Sequence, residues 1–126
     1  MQPGRRAPLT PQQGTDALDT IISAIKILAP KVGLRIPITI PQDPKYESEE
    51  GRARVSLVAN KDWYDVLAWY DPETETVTYG WENVNNTAHH LHEHFHTTAW
   101  TAVADMLLFI VKLRLGEEIA KHQGGV

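Results

Sequence analysis

Five of the six histidines of this 126-residue chain lie within eight consecutive positions, residues 89–96. The stretch contains His89, His90, His92, His94 and His96, with Glu93 among them. Neutral imidazole is the commonest metal ligand in proteins, and zinc is held by imidazole nitrogens and carboxylate oxygens. The segment therefore predicts a site for a divalent transition metal, with Zn²⁺ as the best match.

Which histidines act together depends on the secondary structure of residues 89–96. In a helix, residues four apart share a face, so that His90 with His94, and His92 with His96, each form a pair able to hold one ion. In a strand, alternate residues share a face instead. The two conformations thus predict different ligand sets.

A helix is the favoured conformation for this segment. In a strand, Glu93 would face inward between two apolar neighbours, where an unpaired carboxylate is costly. A helix would continue into the apolar run of residues 99–115. The alternative stays open because Thr97 or Thr98 can cap a helix that begins only at Ala99, which leaves the histidines on a loop or an edge strand.

A mononuclear site built on His92 and His96 needs a further ligand. His89 cannot complete it, because seven helical residues span about 10 Å. The candidates are Glu82, which closes a predicted strand just before the histidines, Asp71, Glu117, or a side chain of a second subunit. Asp105 is set aside, because a continuous helix would direct its carboxylate away from the pair.

The sequence His-Glu-His-Phe-His at residues 92–96 resembles the H-E-x-x-H helix motif of zincin metallopeptidases. The resemblance implies that His92 and His96 bind zinc and that Glu93 is the general base of a metal-dependent hydrolase. It covers these five residues, and no G-x-x-H continuation follows His96.

Length and composition limit the class of protein. A chain of 126 residues forms one domain, and the absence of cysteine excludes disulfide and thiolate chemistry. The net charge of −4 argues against general nucleic-acid binding. The apolar run of residues 99–115 contains Asp105, Lys112 and Arg114 and is shorter than a membrane span requires. We expect a cytoplasmic protein that does not associate with membranes.

The order of elements predicts an α+β domain over residues 15–122, between a flexible tail at 1–14 and a frayed terminus at 123–126. A helix capped by Thr15 or Asp16 precedes an edge strand, a long exposed loop at 41–51 and three strands with clear alternation. This pattern indicates an antiparallel β-meander of three to four strands, with an N-terminal helix and a long C-terminal helix packed on one face. The C-terminal helix is apolar around most of its circumference, which favours a homodimer formed through it.

Two other functions fit parts of the sequence. Seven of the eight Trp and Tyr residues lie between Trp63 and Trp100, among many acidic residues. Such an acidic, aromatic sheet would suit a non-enzymatic interaction or inhibitor protein with a basic protein partner. Alternatively, two histidines acting as acid and base, with Arg52 and Arg54 on phosphate, would make a small metal-independent nuclease of toxin type.

Overall fold

The computed structural model describes residues 6–32, 36–41, 43–84 and 96–124. The elements in chain order are α1 (Pro11–Leu28), a 3₁₀ turn (Ala29–Lys31), β1 (Ile38–Thr39), β2 (Lys45–Glu47), β3 (Arg52–Ala59), β4 (Asp62–Asp71), β5 (Thr76–Asn83) and α2 (Ala99–Gly124). This arrangement confirms the predicted α+β fold, in which one helix precedes the strands in the chain and one follows them.

Within the described residues, five strands form one antiparallel sheet. The order is β1-β3-β4-β5, and β2 pairs with another part of β3. β3 alternates strictly between buried and half-exposed residues, as its sequence predicts. Its buried residues are Ala53, Val55, Leu57 and Ala59, which join one core with α1 and α2. α1 packs on β3, α2 packs on β5, and the two helices contact each other, so both cover the same face of the sheet.

Strand β2 lies inside the stretch predicted to be an exposed loop, residues 41–51. Tyr46 holds it in place, because its hydroxyl donates to the carbonyl of Leu9 at 2.6 Å. The Tyr46 ring also fills the space that a side chain at Gly14 would need. A three-residue strand with two charged residues carries no readable alternation, and the sequence pattern missed it for that reason.

Helix α1 begins five or six residues earlier than the sequence predicts. Thr10 is the N-cap, and its hydroxyl and the Gln13 side chain form a reciprocal capping box. Leu9 is buried, and Ala7 exchanges two main-chain hydrogen bonds with Tyr70 of β4. Residues 6–14 are therefore part of the domain, which corrects the tail boundary at residue 14; residues 1–5 lie outside the described residues.

Helix α2 buries one face and exposes the other. Ala102, Val103, Met106 and Ile110 are buried in the core, whereas Leu108 and Ile119 are exposed. In the described part of the chain, no helix combines the length and the apolar character that crossing a bilayer requires.

Candidate metal centre at His96

His96 lies at the outer edge of β5 as an isolated bridge residue. Its N–H donates to the carbonyl of Tyr79 at 2.9 Å, and the N–H of Tyr79 donates to the carbonyl of His96 at 2.8 Å. Residues paired in this way project their side chains to the same face of a sheet. The imidazole of His96 therefore lies on the face that the helices cover, beside the buried Tyr79.

The chain bends between His96 and α2. The Thr98 hydroxyl accepts a hydrogen bond from the N–H of Thr101 at 3.1 Å, which is the geometry of an N-cap. The helix starts at Ala99, as the threonine-cap alternative predicts. The favoured expectation, a helix running through residues 89–96 into α2, is wrong at His96 because the cap and the β-bridge interrupt it. The remainder of that call, residues 89–95, lies outside the described residues.

The bend brings Asp105 to His96. Oδ2 of Asp105 is 3.5 Å from Nε2 of His96, and the same oxygen accepts a hydrogen bond from the indole Nε1 of Trp81 at 2.9 Å. The sequence analysis set Asp105 aside on the assumption of a continuous helix. Once the helix begins at Ala99, the second turn of α2 carries this carboxylate back over the strand edge.

The imidazole of His96 is largely buried, with 19% of its side chain exposed. Its Nε2 atom is inaccessible to solvent and makes no hydrogen bond within the described residues. The 3.5 Å contact with Asp105 is thus an electrostatic one, longer than a hydrogen bond to nitrogen. A buried polar atom without a hydrogen bond costs about 1–3 kcal/mol, and a bound water or ion is one of the arrangements that satisfy such an atom.

Three acidic residues expected as further ligands, Glu82, Asp71 and Glu117, do not lie beside His96. Glu82 pairs in register with Asp65 on the face away from the helices, so Glu82 and His96 are on opposite faces of the sheet. Asp71 accepts the N–H of Glu73 in the turn after β4, at 2.9 Å. Glu117 accepts a hydrogen bond from Asn60 at 2.9 Å.

Across the residues that the structure describes, no three His, Asp or Glu side chains come close enough together to hold a metal ion. His89, His90, His92, His94 and Glu93 lie outside the described residues, so their part in the expected site stays a prediction. The described part of the site consists of His96, Asp105 and Trp81. The last two were missed because their approach depends on the bend at residues 97–98, for which threonine capping was the sole signal.

Arg52 and Arg54 form ion pairs with carboxylates. Nε of Arg52 contacts Glu47 at 2.5 Å and Glu50 at 2.9 Å, and Arg54 contacts Glu47 at 3.2 Å. Burial lowers the pKa of Arg52, but the hydrogen bond to Glu47 and the charges of Glu47, Glu50 and Glu82 together raise it above its ordinary value. Phosphate would have to displace these carboxylates, which disfavours a nuclease site on these two arginines.

The face of the sheet away from the helices is mixed in charge. Asp65 is buried there, where it accepts a hydrogen bond from Ser56 at 2.6 Å and lies 3.8 Å from Arg54. Burial raises the pKa of Asp65, and the contacts with Ser56 and Arg54 offset part of this effect. Most of the aromatic residues of the meander point the other way: Tyr64, Tyr79 and Trp81 belong to the core under the helices.

Comparison with models of protein families, with curated proteins and with solved structures found no match to this chain. We therefore infer function from the residues of the site.

Proposed function

We propose that the protein binds a divalent transition metal ion, zinc by preference, at the edge of β5, with His96 as the buried ligand and histidines of residues 89–94 as further ligands. One observation supports the proposal above the others. The imidazole of His96 is largely buried beside the Asp105 carboxylate, its Nε2 makes no hydrogen bond within the described residues, and four more histidines precede it within seven residues.

The pairing of His96 with Asp105 fits the usual surroundings of a metal ligand. A histidine that binds a metal through one ring nitrogen generally offers the other nitrogen to a carboxylate, which fixes the ring and increases its basicity. Because Asp105 is next to Nε2, Nδ1 of His96 is the ligating nitrogen in this proposal, and the ring proton then lies on Nε2, which gains the hydrogen bond it lacks by moving from 3.5 Å into donating distance of Asp105. Trp81 holds Asp105 in turn, so the hydrogen bond at 2.9 Å orients the carboxylate.

The remaining ligands are within reach along the chain. His94 is two residues from His96 and His92 is four, which limits their Cα atoms to distances of about 7 and 14 Å from that of His96. Imidazole nitrogens with a nearby carboxylate suit zinc. When bound, a zinc ion in a closed site of four protein ligands stabilises the fold, and one with an open position polarises a bound water.

The zincin-like hydrolase is not part of this proposal. That motif needs one helix to carry both His92 and His96, whereas His96 is a β-bridge residue. Glu93 accordingly loses its assignment as general base, which depended on the motif.

A cytoplasmic location remains part of the proposal, and fractionation of cells that express the tagged chain tests it.

Elemental analysis by mass spectrometry tests the proposal on tag-free protein dialysed against a weak chelator. We expect near-stoichiometric metal in the wild type and loss of it in His96→Ala. His122→Ala is the matched control, because His122 is exposed on α2 and is the one histidine outside the cluster. A folded wild type without metal, or full metal content in His96→Ala, would overturn the proposal.

A further inference from the structure

Helix α2 carries an apolar stripe on the side opposite the core. Its members are Ala104, Leu108, Val111, Leu115 and Ile119, spaced by four, three, four and four residues, and we call them the seam. Leu108, Leu115 and Ile119 expose 63%, 46% and 56% of their surfaces. A row of leucine and isoleucine this exposed along one helix is a candidate contact surface for another protein.

The end of α1 extends the apolar surface beside the seam. Leu28, Val32 and Leu107 line a groove together with Ala104, Leu108 and Val111, and Ile27 is half exposed nearby. Lys31 is the charged residue of this groove lining. An occupant that is apolar along its middle and carries a negative charge near Lys31 would therefore match this groove.

We infer that the occupant is a second copy of this chain, with the two α2 helices packed antiparallel across a two-fold axis. A stripe with spacings of three and four presents both knobs and holes, so it is complementary to another copy of itself. With the axis between Val111 and Lys112, Ala104 lies opposite Ile119 and Leu108 lies opposite Leu115. At each end of the interface the small Ala104 of one copy then meets the large Ile119 of the other, because the two-fold axis repeats every contact.

The charges fit this arrangement. Glu118 follows Leu107 by 11 residues, close to three full turns, so both lie on the flank of α2 that faces α1. In the antiparallel pair, the partner's Glu118 lies at the same position along the helix axis as Asp105. It is on the flank of the pair that faces α1, where Lys31 lies. Within its own helix Glu118 contacts Arg114 at 3.4 Å and Lys121 at 3.9 Å, both at the surface. Lys112 is on the other flank, where its long side chain can extend into water.

The seam alone is too small for a stable dimer. Sixteen residues of helix, about 22 Å long and 10–12 Å wide, cover roughly 250 Å², whereas a stable interface buries about 800 Å² on each partner. The edge of α1, with Ile27, Leu28 and Val32, must take part as well. The interface is then of modest size, and we expect a dissociation constant in the micromolar range.

Light scattering coupled to size exclusion, with the full chain at high micromolar concentration, tests the inference. We expect the wild type at twice the chain mass of 14.2 kDa and Leu108→Glu at the single chain mass. Val84→Glu is the matched control and should remain dimeric, because Val84 is 44% exposed but follows β5, away from the seam. Circular dichroism shows whether each variant is folded. A monomeric wild type, or an unchanged mass for folded Leu108→Glu, would overturn the dimer.

A charge exchange tests the antiparallel arrangement independently of the seam. Lys31→Glu should weaken the dimer about three- to fivefold, as expected for the loss of an ion pair at the edge of an interface. The double variant Lys31→Glu/Glu118→Lys should recover the wild-type dissociation constant, measured by sedimentation equilibrium. A double variant that is no tighter than Lys31→Glu would overturn this arrangement.

Discussion

Trp81 donates its indole N–H to Asp105, with 2.9 Å between Nε1 and Oδ2. This single hydrogen bond joins β5 to the second turn of α2 and fixes the carboxylate beside His96. It gives Asp105 two roles, one in holding the helix on the sheet and one in orienting the imidazole. Substitutions at Asp105 can separate the two.

Asp105→Asn keeps an oxygen for Trp81 and removes the charge next to His96. We expect a 10- to 100-fold loss of zinc affinity, as is typical when the carboxylate partner of a ligating histidine is altered, with the free energy of unfolding little changed. Asp105→Ala also leaves the indole N–H without its acceptor and should lower the free energy of unfolding by about 1–3 kcal/mol. Competition with a chromophoric chelator gives the affinity, and urea unfolding gives the stability. Equal stabilities for Asn and Ala would contradict this division of roles.

The Tyr64 hydroxyl is buried and makes no hydrogen bond within the described residues. Burial, with the nearby charges of Asp62 and Glu117, raises the pKa of Tyr64 to about 12. Tyr64→Phe should therefore increase the free energy of unfolding by about 1 kcal/mol. Tyr46→Phe is the matched control and should decrease it by about the same amount, because the Tyr46 hydroxyl donates to Leu9.

Alkaline pH gives a second measurement on Tyr64. The pKa of Tyr64 is higher in the folded chain than the ordinary 10.0, so the unfolded chain loses this proton at a lower pH than the folded chain. The free energy of unfolding therefore falls as pH rises from 10.0 through about 12. Absorbance at the tyrosinate band should show one tyrosine fewer titrating near 12 in Tyr64→Phe than in the wild type. A Tyr64 that titrates at the ordinary value would refute the buried position.

Asp65 should make the protein less stable as pH rises from acidic values. Burial raises its pKa above the ordinary 3.8, so the folded state holds the proton more tightly, and stability declines as pH increases from 3.8 through the folded-state pKa. Asp65→Asn should remove this decline and keep an acceptor for Ser56. Ser56→Ala should extend the pH range over which stability declines, because the Ser56 hydrogen bond lowers the pKa of Asp65. Thermal unfolding at a series of acidic pH values measures the slopes, and an unaltered slope in Asp65→Asn would exclude Asp65 as their source.

Two glycines should respond to alanine in opposite directions. At Gly14 a methyl group would collide with the Tyr46 ring, so Gly14→Ala should destabilise the fold by about 1–3 kcal/mol. At Gly116, within α2, an added Cβ meets nothing within 4 Å. Gly116→Ala should therefore stabilise by about 0.5–1 kcal/mol through helix propensity. Chemical denaturation of the two variants side by side provides the comparison.

The parts of the fold that follow a regular period were predictable. The alternation of Val55, Leu57 and Ala59 and the turn between β4 and β5 identified the meander, and the apolar spacing along residues 18–28 identified α1. The early start of α1 had a local signal, the Thr10–Gln13 capping box, which the apolar spacing alone does not show. Strand β2 was not predictable, because it depends on one anchoring contact, from Tyr46 to Leu9, between residues far apart in sequence. Such contacts leave no periodic signal.

The candidate site was predictable in its residue types and not in its geometry. The histidine cluster pointed to metal, and His96 is the one member of the cluster that the structure describes. The sequence allows two local structures here, a helix through His96 or an N-cap at Thr98. The structure has the N-cap, together with the bridge between His96 and Tyr79. That choice decides which carboxylate is near His96, so the wrong helix removed Asp105 from consideration.

The residues that flank the histidine-bearing stretch are tied to the sheet by their main chain. On one side the N–H of Val84 donates to the carbonyl of Trp63 at 2.9 Å, and on the other His96 and Tyr79 exchange two hydrogen bonds. Closing a longer connection between fixed ends adds only about 0.6 kcal/mol for each doubling of its length. A change in the number of residues between these two anchors therefore costs the domain little by this effect. In the proposed metal site, the ligands that precede His96 can thus be exchanged as a cassette, while the sheet and both helices stay the same.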